Sequence, residues 1–147
     1  MIGSSGKVNP DIFNRMGYFM GTAFQIQDDI LNLVGEESKY GKEIGGDIME
    51  GKRTLMLIYL MSHCNKKELA LIRDFLAIPI AERSLETAAA LFEMMKKYDS
   101  LNYARNIAKF MAGAALKEFY TIFSRLPDTR DKAFIESIIL YMINRDY

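Results

Sequence analysis

Two adjacent carboxylates, Asp28 and Asp29, sit in an otherwise apolar stretch of this 147-residue chain. Burying ionised groups is costly unless something compensates them. Asp28 and Asn32 are four residues apart, so on a helix they share one face. Gln25, Gly21 and Gly17 fall on the same side. Each helix-interior glycine costs about 1 kcal/mol relative to alanine, and each removes bulk. A helix that sheds bulk and gains carboxylate and amide oxygens along one side is forming a polar pocket. Oxygen donors without histidine or cysteine nearby suit a hard cation such as magnesium. Magnesium keeps several waters and shares its shell with substrate phosphates.

Residues 35–53 supply the complementary chemistry. Five of the ten glycines lie here: Gly35, Gly41, Gly45, Gly46 and Gly51. Among them stand Lys39, Lys42, Lys52, Glu43, Asp47 and Glu50. No periodic pattern marks this segment, and a long connection of this kind is more often functional or disordered than incidental. Glycines allow close backbone approach, and Lys42 and Lys52 can meet phosphate oxygens as point charges. Taken singly, an Asp-Asp pair is usually a solvated surface feature and a lysine-glycine loop is usually only a loop. Together, beside an apolar helix, they point to a site for a metal and a phosphorylated substrate.

Helices must position these groups. Apolar residues recur at three and four, which predicts an all-α fold with six helices. The first runs from Pro10 to Val34, with Asn9 as N-cap, Pro10 in the first turn and Gly35 closing it. Ile12, Phe13, Met16, Phe19, Met20, Phe24, Ile26, Gln27, Leu31 and Leu33 follow helical register and together cover a broad apolar face, so the helix is expected to be largely buried. The others span 54–63, 66–76 (capped by Asn65), 81–98, 100–126 and 128–145. Short connections favour antiparallel neighbours, hence a single helical-bundle domain over 1–147. Half the residues are hydrophobic, ample for a core. The balance of 19 basic and 19 acidic residues argues against a nucleic-acid partner. No segment is long and apolar enough to span a bilayer, so no membrane anchor is expected. One cysteine, Cys64, and no visible signal peptide fit a cytoplasmic setting.

The stretch from Gly21 through Phe24, Gln25, Asp28 and Asp29 to Asn32 resembles the second aspartate-rich motif of the trans-isoprenyl diphosphate synthases, G-x-x-F-Q-x-x-D-D-x-x-D. Gly41, Lys42, Gly45 and Asp47, then Gly51, Lys52 and Thr54, resemble that family's G-K-x-x-G-x-D stretch and its G-K-x-T continuation. The resemblance implies the C-terminal half of the isoprenoid synthase fold and a magnesium-dependent prenyl transfer. It implies that Asp28 ligates magnesium bridging to an allylic diphosphate. Asp29, Asn32 and Asp47 would support the metal or its waters. Lys42 and Lys52 would contact diphosphate, and Phe24 and Gln25 would line the isopentenyl diphosphate side. The four groups expected to act in catalysis are Asp28, Asp29, Lys42 and Lys52.

Two departures stand out. Asn32 replaces the motif's usual final aspartate, and the family's first aspartate-rich motif has no counterpart here. The chain is therefore expected to be inactive alone and to need a partner chain supplying that motif. A homo-oligomer is expected as well, because half a bundle exposes apolar faces. The alternative is a non-catalytic docking subunit of a heteromeric synthase. His63 reads as a helix C-cap, Cys64 as a boundary residue, and Lys66-Lys67 and Lys96-Lys97 as solvated faces. Phe110, Phe119, Tyr120 and Phe123 read as core.

Overall fold

A computed structural model describes residues 9–34 and 45–144. Gly35, the expected end of the first helix, and Lys42 lie outside the described residues. Among the described residues there are seven α-helices and no strands. They are α1 (Asn14–Val34), α2 (Gly46–Glu50), α3 (Leu55–His63), α4 (Lys66–Ala77), α5 (Leu85–Lys97), α6 (Ser100–Phe123) and α7 (Arg130–Asn144). All six expected helices are present. The seventh, α2, falls where no periodic pattern was legible. Five residues are too few to display a 3.6-residue period.

Local chemistry accounts for the helix starts. Asn9 accepts a hydrogen bond from the Asp11 N–H at 3.0 Å, and Pro10 opens a short 3-10 turn, Pro10–Phe13, ahead of α1. Thr54 Oγ1 accepts from the Leu57 N–H at the start of α3. Asn65 and Glu68 form a reciprocal capping box on α4. Ser84 caps α5. Cys64, not His63, is the C-cap of α3. His63 nevertheless serves that helix end, with Nδ1 2.8 Å from the Tyr59 carbonyl and its ring stacked on Tyr59 at 3.9 Å.

The chain forms two compact units. The first comprises residues 9–25 and 107–144. Ala23, Ala112 and Met142 are buried together, as are Ala115, Phe119 and Ile139. Arg15 pairs with Glu118 at 3.0 Å. Two expectations fail in this unit. Ile12 of the opening 3-10 turn and Phe24 of α1 are exposed, so the first helix is well buried only from Ile26 onward. Phe110 and Tyr120, read as core from their spacing, are 69 % and 51 % exposed.

The second unit comprises residues 26–106 and carries most of the buried apolar side chains, among them Ile30, Met56, Leu60, Ile72, Phe75, Leu91 and Met95. Helices α2 and α3 both lie against α5. Glu68 accepts from Lys97 Nζ at 2.7 Å and from the Tyr98 hydroxyl at 2.6 Å, tying α4 to the end of α5. Lys97 is thus a partner in an inter-helix contact and not a merely solvated residue.

Those two donors, Lys97 first, hold the Glu68 carboxyl at about 2, below the ordinary 4.5. A depressed carboxyl stabilises the fold above its unfolded pKa, and that contribution disappears as pH falls through the folded value. Glu68→Gln is therefore expected to flatten the stability-pH curve between about pH 4.5 and 2 by up to one proton. Denaturant titrations across that range check the slope.

Candidate functional site

The last turns of α1 place Asp28, Asp29 and Asn32 in the second unit. Asp29 is buried, at 7 % exposure, while Asp28 and Asn32 are half-buried. Asn32 works as a clasp. Its backbone carbonyl accepts from the Gly45 N–H at 2.7 Å, and its side-chain Oδ1 accepts from the Asp47 N–H at 3.0 Å. Gly45 sits at the N-cap of α2 with φ +81° and has no side chain to cap with. Asn32 does this from another helix, satisfying one of the orphan N–H groups of the first turn. An amide oxygen suffices here, so the departure from the usual aspartate leaves the clasp intact.

Helix α2 ends at Gly51, φ +72°, a conformation that disfavours any side chain. The turn directs the chain back, and the Lys52 N–H donates to the Asp47 carbonyl at 2.9 Å. Lys52 Nζ then donates to Asp29 Oδ1 at 2.7 Å and to Asp47 Oδ2 at 3.0 Å. The bond to Asp29, with that to Asp47 behind it, pushes the Lys52 ammonium above its ordinary value despite partial burial. Lys52 is therefore cationic throughout the physiological range.

Arg83 anchors the far side of this turn, and its position in the linker before α5 gave no sequence signal. Its Nη1 donates to the Met49 carbonyl at 2.6 Å, Nη2 to the Leu76 carbonyl at 3.2 Å and Nε to the Ile78 carbonyl at 3.0 Å. The guanidinium also lies 5.2 Å from the centre of the Phe75 ring. One planar fork thereby satisfies carbonyls from three places in the chain.

The expected residues are thus distributed as follows. Asp29, Asn32, Asp47 and Lys52 are brought together, with Asp28 adjacent on α1. Lys42 is outside the described residues. Phe24 and Gln25 lie in the part of α1 assigned to the first unit, both exposed. Gly17 and Gly21 are exposed, with nothing within 4 Å of where a Cβ would stand. The oxygen donors match magnesium in type. No group of three or more histidine, cysteine, aspartate or glutamate side chains arranged for a metal occurs among the described residues.

A family model described as polyprenyl synthetase matches residues 1–95. The chain belongs to the polyprenyl synthetase family. It is 33 % identical over 131 residues to an octaprenyl diphosphate synthase of Haemophilus influenzae, a match covering 89 % of this chain and 38 % of that protein. In structure it resembles a geranylgeranyl pyrophosphate synthetase from Pyrococcus horikoshii, with TM-score 0.74 and 28 % identity over 92 % of this chain and 39 % of that one. It shares the fold of a Corynebacterium glutamicum geranylgeranyl pyrophosphate synthase complexed with isoprenyl diphosphate and magnesium, with TM-score 0.73 and 22 % identity, covering 94 % of this chain and 39 % of the other. The chain therefore spans well under half the length of these relatives. No described helix is long and apolar enough to cross a membrane.

Gly51 offers a direct check on the turn that presents Lys52. A Cβ there would approach Arg83 Nη1 to 2.6 Å and Leu76 Cδ2 to 3.0 Å. Gly51→Ala is expected to destabilise the chain by about 1–3 kcal/mol through left-handed strain and loss of the Arg83 anchor. Equilibrium urea unfolding measures it.

Proposed function

We propose that this chain is the C-terminal, diphosphate-binding half of a trans-prenyltransferase that condenses isopentenyl diphosphate with an allylic diphosphate. The remainder, including a first aspartate-rich motif, would come from further residues or from a second polypeptide. The observation that carries this reading is the convergence of the two sequence motifs. Helix α1 and the glycine-lysine segment are far apart by type, one apolar and one polar. They nonetheless meet through Asn32, Asp47, Lys52 and Asp29.

In this reading Asp28 would hold a magnesium ion for the allylic diphosphate. Bound magnesium would supply charge stabilisation to the departing diphosphate. Lys52 contributes a fixed positive charge whose position is set by two carboxylates. The amide of Asn32 fixes the first turn of α2, and Lys42 adds a second cation from the same motif. The allylic carbon then accepts the double bond of isopentenyl diphosphate, and loss of a proton completes the condensation.

Exposed aromatic side chains support the need for a covering partner. Phe134 and Tyr141 of α7 are 64 % and 61 % exposed, and Phe110 of α6 is 69 % exposed. Apolar faces of this kind mark association surfaces. A second copy, or a chain bearing the first motif, would cover them.

Reconstitution tests the proposal. The chain is expected to form prenyl product only when combined with a polypeptide carrying a first aspartate-rich motif, magnesium and both diphosphates. Asp28→Ala in that complex is expected to lower kcat by about a hundredfold or more, in line with the loss of one preorganised charge-stabilising group. Unchanged turnover in the Asp28→Ala complex would indicate a docking subunit instead.

A further inference from the structure

Three hydrogen bonds and one turn of α1 close a ring around the base of the site. Asn32 Oδ1 holds the Asp47 N–H at 3.0 Å, Asp47 Oδ2 holds Lys52 Nζ at 3.0 Å, and Lys52 Nζ reaches Asp29 Oδ1 at 2.7 Å. The ring closes along α1, where Asp29 and Asn32 are three residues apart and neighbours on the helix surface. The ring joins α1, α2 and the strap that leads into α3. The Lys52 backbone is fixed on both sides, its N–H bonded to the Asp47 carbonyl and its carbonyl to the Thr54 N–H at 2.9 Å. Asp29 is the most buried of the four side-chain partners, and a buried carboxylate requires a counter-ion held in good geometry.

We infer that Asp29 and Asp47 serve Lys52 and not the metal: the two carboxylates are the counter-ions of a lysine clamp. This assignment rests on the proposed function above and departs from the family-derived expectation that both aspartates support magnesium. A divalent cation placed on Asp29 Oδ1 would stand against an ammonium already bound to the same oxygen. That repulsion would be strong at such a distance in a partly buried site. Metal ligation through Asp29 Oδ1 therefore competes with Lys52 for the same oxygen. An ammonium has three N–H donors. Two are committed to Asp29 and Asp47, leaving one whose direction the clamp sets. Lys52 is thus a positioning residue for anion binding, with the metal left to Asp28.

The test uses the full 147-residue chain, with Mn2+ as the metal probe and inorganic pyrophosphate as the anion, read by electron paramagnetic resonance and calorimetry. Asp28→Asn is expected to weaken Mn2+ binding by about tenfold or more, the usual cost of disturbing a metal shell. Asp29→Asn and Asp47→Asn are expected to stay within about twofold of the unaltered chain. Lys52→Met should tighten Mn2+ binding by about tenfold, because it vacates a preassembled pair of carboxylates, and Lys52→Arg should restore the original affinity. A merely structural lysine would not produce that gain. The near-isosteric Asp29→Asn keeps the test decisive if Lys52→Met does not fold, with helical circular dichroism as the check. The inference is overturned if Asp29→Asn loses Mn2+ as Asp28→Asn does, or if a folded Lys52→Met binds Mn2+ no better than the unaltered chain. An unaltered chain that binds no Mn2+ even with pyrophosphate would overturn the functional reading itself, a different result from either of those.

Discussion

One lysine ammonium, shared between a buried carboxylate on α1 and a second carboxylate on α2, is the interaction on which the rest of the site depends. Burying Asp29 inside an apolar helix surface is unfavourable unless a cation accompanies it. The segment after α1 is shaped to bring that cation back. Asn32 starts α2, Gly45 and Gly51 permit its two left-handed ends, and Arg83 holds its last turn against α4. Each of these features has a local cause, and their common result is a lysine held between two carboxylates. Electrostatic preorganisation of this kind is useful because the charge is already in place when an anion arrives.

Much of this could be read from sequence. The cap residues Asn9 and Asn65 and the period of the long helices gave the all-α architecture. The joint occurrence of Asp28-Asp29 with a glycine-lysine segment indicated that the two segments meet, as Asp29, Asn32, Asp47 and Lys52 do. Helix α2 was hidden because a single turn carries no period, and its start is capped from Asn32, fifteen residues earlier. Arg83 was hidden because its role depends on carbonyls of Met49, Leu76 and Ile78, which no spacing rule connects. The pairing of Lys52 with Asp29 was invisible for the same reason. Charge complementarity says that lysine and aspartate can meet, and only the turn at Gly51 says which ones do.

The misjudged residues carry a physical lesson as well. Helical spacing assigned Phe110 and Tyr120 to the core, yet both are exposed. Periodicity identifies an apolar face, but it does not say whether that face is covered within the same chain. Since the chain spans well under half the length of its relatives, these faces are where the rest of a prenyltransferase would pack under the proposed function. The lysine clamp is different in kind: all its members lie within the second unit, so its geometry does not depend on such a partner.

A crystal structure of the chain soaked with Mn2+ and pyrophosphate, with anomalous data collected for manganese, addresses the central claim most directly. The account predicts a metal peak within about 2.2 Å of an Asp28 carboxylate oxygen, with pyrophosphate oxygens completing its shell and Lys52 still seated on Asp29 and Asp47. A manganese peak on Asp29 or Asp47 with Lys52 displaced, or no peak near α1 at all, would contradict it.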